Sequence, residues 1–312
     1  MSKITRRKFL AGSAAGGAAM VMAPAKKALA AGSFEGFPEG MGVLVDLTRC
    51  VGCRTCEAAC NKEQNLPAPD KPFNDLSVFD EIHHGSEKRR TTEKAYTVVN
   101  RYQAKSSAEP VYRKIQCNHC NEPACLTSCF VNAYTKTPEG AVIYNSKVCV
   151  GCRTCMVACP FHIPAYSYSS AFNPIIKKCI LCHETRLKKG LLPACVEACP
   201  QFVMKFGKRR DLLKIAHERI ERHPEKYIDH VYGEEEVGGT AWMYLSGVPF
   251  AEAGFNTSLQ KEPIINNVKD FLAIVPMVLA IWPALFTGFH LLATKGKSHG
   301  HDNHTDDGQE GH

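Results

Sequence analysis

Short apolar runs punctuate the first two thirds of this chain, and one long apolar block lies near its end. Gly42 to Leu47 reads as a short strand, Tyr96, Val98 and Asn100 to Tyr102 alternate as a strand does, Gly140 to Tyr144 repeats the short strand, and Ala241 to Leu245 is another. Arg209 to His223 sets Leu212, Leu213, Ala216 and Ile220 on one face and charges on the other. That period predicts an amphipathic helix stopped at Pro224 and packed by its apolar stripe on a core. Phe271 to Thr294 carries no formal charge with His290 neutral. As a helix it would cover roughly 36 Å, enough for a hydrocarbon core of about 30 Å, and the reading is one transmembrane helix over 268–294. Pro276 and Pro283 would break a soluble helix but are tolerated in a membrane one. A buried soluble hairpin is the competing reading, disfavoured by length.

Between these elements the chain is rich in cysteine. Residues 149–160 read CVGCRTCMVACP and residues 50–60 read CVGCRTCEAAC, an internal repeat at an offset of 99 residues. Two further sets, Cys117, Cys120, Cys125 and Cys129, then Cys179, Cys182, Cys195 and Cys199, keep the CxxC opening and xxxC ending with longer middle spacers. All sixteen cysteines fall into these sets, four by four. A run CxxCxxCxxxCP lays three thiolates along one tight loop and throws the fourth onto the next helical turn, facing away. This is the bacterial ferredoxin spacing for a 4Fe-4S cube, three sulfurs to one cluster and one to its neighbour.

Tetrahedral zinc accepts the same ligand type, but zinc sites take two separated CxxC knuckles, and two CxxCxxCxxxC runs are awkward for them. A disulfide framework fits less well, because CxxC pairs at every site would compete with long-range bridges. Four all-cysteine cubanes leave no iron position open to a substrate, and no pterin, flavin or nickel signature is identified. The expectation is an electron carrier that is not itself an enzyme. His119, between two ligands, is read as packing beside a cluster or donating to a sulfur, the thiolate count being complete without it.

Length and charge refine this. A chain of 312 residues with 45% hydrophobic residues allows a real core, much of it filled by clusters, so metal–thiolate bonds supply a good part of the folding free energy. The formal charge of +7 invites a nucleic-acid reading, yet Lys3, Arg6, Arg7, Lys8, Lys26 and Lys27 precede any acidic residue and leave the remainder close to neutral. No nucleic acid is expected as a partner. Those residues belong instead to a leader. Thr5-Arg6-Arg7-Lys8-Phe9-Leu10 resembles the twin-arginine signal, followed by an Ala/Gly-rich stretch and the small-residue site Ala28-Leu29-Ala30. Export through the twin-arginine machinery, already folded, reconciles reduced cluster ligands with an exported protein. Lys88, Arg89 and Arg90, in the cysteine-free stretch 61–116, read as a solvated face. Ser298 to His312, with four histidines, reads as a polar tail.

Through all four cysteine sets, over about residues 40–210, the chain resembles the four-cluster ferredoxin-like electron-transfer subunits of the dimethyl sulfoxide reductase, nitrate reductase and formate dehydrogenase type. The resemblance implies two pseudo-symmetric ferredoxin-like lobes holding four 4Fe-4S clusters; with the charge-free stretch added, the expected fold is α+β with one C-terminal transmembrane helix. The resemblance further implies that Cys50, Cys53 and Cys56 join Cys199; Cys179, Cys182 and Cys195 join Cys60; Cys117, Cys120 and Cys125 join Cys159; and Cys149, Cys152 and Cys155 join Cys129. The proline after the last cysteine is present as Pro160 and Pro200 and absent after Cys60 and Cys129, which bears on local turn shape.

The leader, the stretch YGEEEVGGTAWMYLSGVP at 232–249 and the single span with its His/Asp tail are most similar to the membrane-tethered iron–sulfur subunit of periplasmic nickel–iron hydrogenases. Gly238-Gly239-Thr240 also occurs in formate dehydrogenase beta subunits, which keeps a molybdopterin partner open. The implied organisation is a signal peptide over 1–30, a four-cluster domain over 40–210 with an insertion at 61–116, an extension over 211–267, the span, and a tail over 295–312. The implied partners are a catalytic oxidoreductase subunit at the periplasmic face and an integral membrane quinone-reactive subunit. A structural anchor whose clusters never change redox state is the rival from another class.

Overall fold

The computed structural model describes residues 39–81, 88–169 and 175–295. The twin-arginine stretch, the cleavage site and the His/Asp tail lie outside them. In chain order the elements are β1 (Met41–Asp46), α1 (Thr55–Glu63), β2 (Val98–Tyr102), β3 (Val111–Ile115), α2 (Ala124–Thr127), β4 (Tyr134–Lys136), β5 (Val142–Tyr144), α3 (Thr154–Ala158), β6 (Ala165–Ser167), β7 (Ile175–Lys177), α4 (Ala194–Glu197), β8 (Met204–Lys208), α5 (Arg209–Arg222), β9 (Trp242–Leu245) and α6 (Asn266–Lys295). The fold is mixed α and β, with short elements threaded between cysteine loops.

The widest sheet has the order β8-β1-β9, with β1 antiparallel to β8 and parallel to β9. As the middle strand β1 buries both faces, and its alternation sorts side chains into two cores. Val43 and Val45 join Trp242, Cys195 and Cys199 on one side. Leu44 joins Met243 and Leu245 on the other, under the stripe Leu212, Ala216 and Ile220 of α5. The amphipathic period predicted for that helix is met, and its apolar face closes the second core. The remaining strands make three antiparallel pairs, β2-β3, β4-β5 and β6-β7.

The cysteine-free stretch is not simply a surface loop. Its β2-β3 hairpin pairs Val98 with Ile115 and Tyr102 with Val111, and it is clamped to α1 through the buried carboxylate of Glu57. That carboxylate accepts from Arg54 Nη2 at 3.0 Å, from Arg89 Nη2 at 2.6 Å and from the Val99 amide at 2.6 Å. The expectation that Lys88, Arg89 and Arg90 form a solvated face is therefore corrected for Arg89, whose side chain is 13% exposed in its pair with Glu57. Arg90 donates to the His162 carbonyl. A charge run in sequence does not reveal that a buried carboxylate waits for one of its members.

The unit holding these elements ends at Asn267, and α6 from Val268 onward belongs to a second unit. The expected apolar block lies within α6, a single helix despite Pro276 and Pro283. Among the described residues, however, no helix is long and apolar enough to cross a membrane. The expected span is not borne out among those residues.

Candidate metal centres

Each of the four CxxC loops turns in the same way. The residue before the second cysteine takes a positive φ in all four: Gly52 at 70°, His119 at 49°, Gly151 at 72° and Leu181 at 57°. Glycine does this freely, whereas His119 and Leu181 accept strain of order 1–3 kcal/mol. The turn aims backbone N–H groups back at sulfur, as in an anion-binding nest. The Gly151 amide donates to Cys149 Sγ and the Leu181 amide to Cys179 Sγ, both at 3.4 Å. The letter-for-letter repeat is also a conformational one: Arg54 and Arg153 share φ near 61° as they open α1 and α3. Beside them Thr55 Oγ1 lies 3.3 Å from Cys53 Sγ, and Thr154 Oγ1 donates to Cys152 Sγ at 3.4 Å.

The far ends of three sets also match. Asn132, His162 and Phe202, each three residues past a final cysteine, have φ of 52°, 52° and 48°, and each amide closes onto that cysteine's carbonyl at 3.0 to 3.2 Å. Phe130 follows Cys129 in the same turn that Pro160 and Pro200 take after theirs, so proline is not what makes it. The first set differs, because α1 carries Cys60 in its middle and runs on to Glu63.

Burial and neighbouring thiols both raise several of the cysteine pKa values. Burial pushes the Cys50 thiol up to about 11, with Cys199 and Cys53 adding to it. Burial raises Cys60 strongly, and Cys179, Cys195 and Cys182 raise it further. For Cys120, burial is joined by Cys159, Cys117 and Cys125. For Cys155, burial is joined by Cys149, Cys152 and Cys129, against an opposing effect of the Tyr134 hydroxyl. In each case a thiol is acted on by one from a distant segment: Cys50 by Cys199, Cys60 by Cys179, Cys120 by Cys159 and Cys155 by Cys129. Cys50, Cys53, Cys56 and Cys199 together line one cavity. Among the described residues no group of three or more His, Cys, Asp or Glu side chains could hold a metal ion as arranged.

Residues 109–209 match the 4Fe-4S dicluster domain family. A protein of Nitratidesulfovibrio vulgaris strain Hildenborough is 51% identical over 292 residues, covering 93% of this chain and 77% of that one. The hydrogenase-2 operon protein HybA of Escherichia coli O157:H7 is 34% identical over 273 residues, covering 79% of this chain and 82% of HybA. The iron–sulfur subunit of the nitrate-inducible formate dehydrogenase of Escherichia coli K12 is 30% identical over 281 residues, with coverage of 86% and 88%. The chain belongs to this family of 4Fe-4S electron-transfer subunits. It carries four 4Fe-4S clusters.

The protein groups around the thiols of this iron–sulfur subunit fit such a cofactor. Val142 N–H donates to His119 Nδ1 at 2.8 Å, so the neutral ring carries its proton on Nε2. Burial first, and the charges of Lys178, Lys136 and Lys114 after it, hold the His119 pKa well below the ordinary imidazole value and keep the ring neutral. His119 Nε2 and Trp242 Nε1 are buried with no protein partner. An orphaned buried donor costs about 1–3 kcal/mol, and a sulfur-rich anionic group is the acceptor such donors suit.

Three buried or half-buried lysines supply countercharge, and sequence reading did not single them out. Lys136 Nζ donates to the His119, Cys120 and Gly140 carbonyls at 2.9, 2.9 and 2.7 Å. Burial pulls its pKa down to about 8 against the pull of Cys120 and Cys117. Lys178 donates to the Val142 and Cys179 carbonyls, and its charge acts on Cys125 and Cys159. For Lys114 burial works against the charge, while Cys195, Cys56, Cys179 and Cys60 outweigh it and leave the pKa above the ordinary lysine value. The available signal was a basic pair just ahead of two CxxC loops, Arg113-Lys114 and Lys177-Lys178, which pattern alone assigns to solvent.

The turn at Gly238-Gly239-Thr240 docks on the second loop. The Asn121 amide donates to the Gly239 carbonyl at 3.0 Å, the Asn121 side chain to the Gly238 carbonyl at 3.2 Å, and the Ala241 amide to the Asn118 carbonyl at 3.0 Å. Arg209 ties the same turn from α5 through the Thr240, Gly233 and Glu234 carbonyls.

Proposed function

We propose that this subunit relays single electrons between a periplasmic catalytic subunit and a quinone-reactive membrane subunit, without a substrate site of its own. The observation that carries this reading is a linear succession of the four proposed ligand sets, numbered along the path as those of Cys50, Cys179, Cys117 and Cys149. Cys195 shares a hydrophobic core with Cys199, Cys50 and Cys56, joining the first and second sets. Cys179 packs on the core of Cys117 and Cys159, joining the second and third. Cys125 and Cys155 share a core, joining the third and fourth. Exposed cysteines fall in the two terminal sets, at Cys53 and Cys152, so a path has one accessible thiol at each end and buried or half-buried thiols between.

When bound, the clusters supply one-electron chemistry. The chain holds the thiolates in order and keeps water from the middle of the path. Its ligand sets, on this reading, are Cys50, Cys53, Cys56 and Cys199; Cys179, Cys182, Cys195 and Cys60; Cys117, Cys120, Cys125 and Cys159; and Cys149, Cys152, Cys155 and Cys129. The sets pair into two lobes, the first with the second and the third with the fourth.

The partner favoured is a nickel–iron hydrogenase, supported by the likeness to a hydrogenase-2 operon protein and by the leader and C-terminal apolar run. Export by the twin-arginine route and anchoring by one helix at the periplasmic face belong to the same proposal, supported by Thr5 to Leu10 and by the charge-free stretch Phe271 to Thr294. A molybdopterin partner of the formate dehydrogenase kind is the second reading, supported by the likeness over 86% of the chain.

Elemental analysis of the complex purified through this subunit separates the two readings. Nickel with excess iron is expected; molybdenum or tungsten without nickel would move the subunit to the second. Freeze-quenched EPR during turnover tests the relay itself, and clusters that stay oxidised while quinone is reduced would make the chain a structural anchor.

A further inference from the structure

Lys114 occupies a position that the relay reading does not require. It lies on β3 opposite Val99, on the strand face shared with Tyr112, and it is 4% exposed. Its ammonium donates to Gln116 Oε1 at 3.0 Å and lies 4.6 Å from the centre of the Trp242 ring. Gln116 is fixed in turn by donating to the Tyr244 hydroxyl at 2.7 Å. A long flexible side chain is thus held at one place by a buried polar chain and an aromatic face. The place is a shared wall. Lys114 lines the cavity bounded by Cys50, Cys53, Cys56 and Cys199, and the Trp242 ring it faces belongs to the hydrophobic core that also holds Cys195 of the second set.

We propose that Lys114 is a positioning residue that sets the reduction potentials of the first two clusters together, as one countercharge shared between them. This rests on the ligand sets proposed above. Each cluster gains one negative charge on reduction, and a fixed positive charge nearby favours the reduced form. Because the site is dry, the attraction is screened far less than at the surface. One ammonium acting on two neighbouring clusters raises both potentials together. The third set has its own countercharge in Lys136, which donates to the Cys120 carbonyl, while Lys178, donating to the Cys179 and Val142 carbonyls, stands between the second and third sets.

The test is redox potentiometry followed by EPR on the complex purified through this subunit, with iron counted, for the wild type and for Lys114→Met. Two of four one-electron components are expected to fall, each by about tenfold in its reduction equilibrium, or about 59 mV. The other two hold, and Lys114→Arg restores both. Lys178→Met shifts a component that Lys114→Met leaves in place. Movement of one component, of none, or of all four in Lys114→Met overturns the inference. Should Lys114→Met lose iron, Lys114→Gln, which keeps a polar contact to Gln116 without the charge, is read in its place. Iron loss in both neutral variants but not in Lys114→Arg marks a folding charge and overturns it too. A wild type that does not titrate as four one-electron components fails the relay reading and this inference together; four components with none moved by the variant fails this inference alone.

Discussion

Arg54 and Arg153 hold the same left-handed backbone, at φ 61°, ψ 8° and φ 62°, ψ 6°, and meet opposite surroundings. Arg54 is 2% exposed, paired with Glu57 and donating through Nη1 to the Pro72, Phe73 and Asp75 carbonyls. Arg153 is exposed, with its guanidinium 5.1 Å from the Tyr166 ring centre. The stretch 61–116 covers one copy of the repeat and leaves the other open. Arg54→Ala strands the Glu57 carboxylate with one cation in place of two and leaves three carbonyls short of a donor, an expected loss of about 3–5 kcal/mol. Arg153→Ala is expected to stay within about 0.5 kcal/mol. Thermal unfolding of the cluster-loaded protein checks both, and equal losses would show that the cover is not what Arg54 secures.

Gly239 sits at φ +82°, where a Cβ would meet the Glu234 carbonyl oxygen and Arg209 Nη2 at 2.7 Å and Asn121 Nδ2 at 2.9 Å. Asn121 Nδ2 ties the turn to the second cysteine loop, and Arg209 Nη2 ties it to α5. Gly239→Ala is expected to lower stability by about 1–3 kcal/mol from backbone strain alone and to loosen the Asn121 contact. Hydrogen exchange at the Asn121 and Ala241 amides reports it; unchanged protection there would place the strain elsewhere.

Asp46 joins the end of β1 to the helical side of the sheet. It is 1% exposed; Oδ1 accepts from the Thr48 amide at 3.2 Å and hydroxyl at 2.6 Å, and Oδ2 from Tyr227 at 2.8 Å and Arg219 at 3.3 Å. These bonds shape the turn that delivers Cys50. Asp46→Asn turns an amide NH₂ toward donors and removes the charge facing Arg219, an expected loss of about 2 kcal/mol. The melting temperature should fall while the iron content of the surviving fold stays whole.

The cysteine sets and the chief strands could be read from the sequence because each is a local pattern: CxxC spacing, alternation in β1 and β9, and a 3.6-residue period in α5. Which fourth cysteine meets which loop depends on contacts between distant segments, and only the family resemblance pointed to it. Arg89 and Lys114 escaped for the same reason. Both lie in basic runs that pattern assigns to solvent, yet Arg89 is largely covered by its pair with Glu57 and Lys114 is buried among residues from far along the chain. His119 was legible in part: its position between two cysteines marked it as a neighbour of the cofactor, but its tautomer is fixed by Val142, 23 residues on.

Removing iron should dismantle the protein unevenly. The core of Leu44, Leu212, Ala216, Ile220, Tyr227, Val231, Met243 and Leu245 contains no cysteine, whereas the others near the thiols include Cys125 and Cys155 in one case and Cys117 and Cys159 in another. Stripped of metal, those cores must accommodate thiols that burial keeps protonated, such as Cys125 and Cys179, each pushed up to about 12, and they lose the bonds that join distant segments. Anaerobic chelation should therefore abolish amide protection first around β4, β5 and the cysteine loops and last in α5 and the middle of β1. Hydrogen exchange followed by mass spectrometry gives the order. Simultaneous loss throughout would mean that the sheet beneath α5 has no stability of its own and depends on the clusters as fully as the loops do.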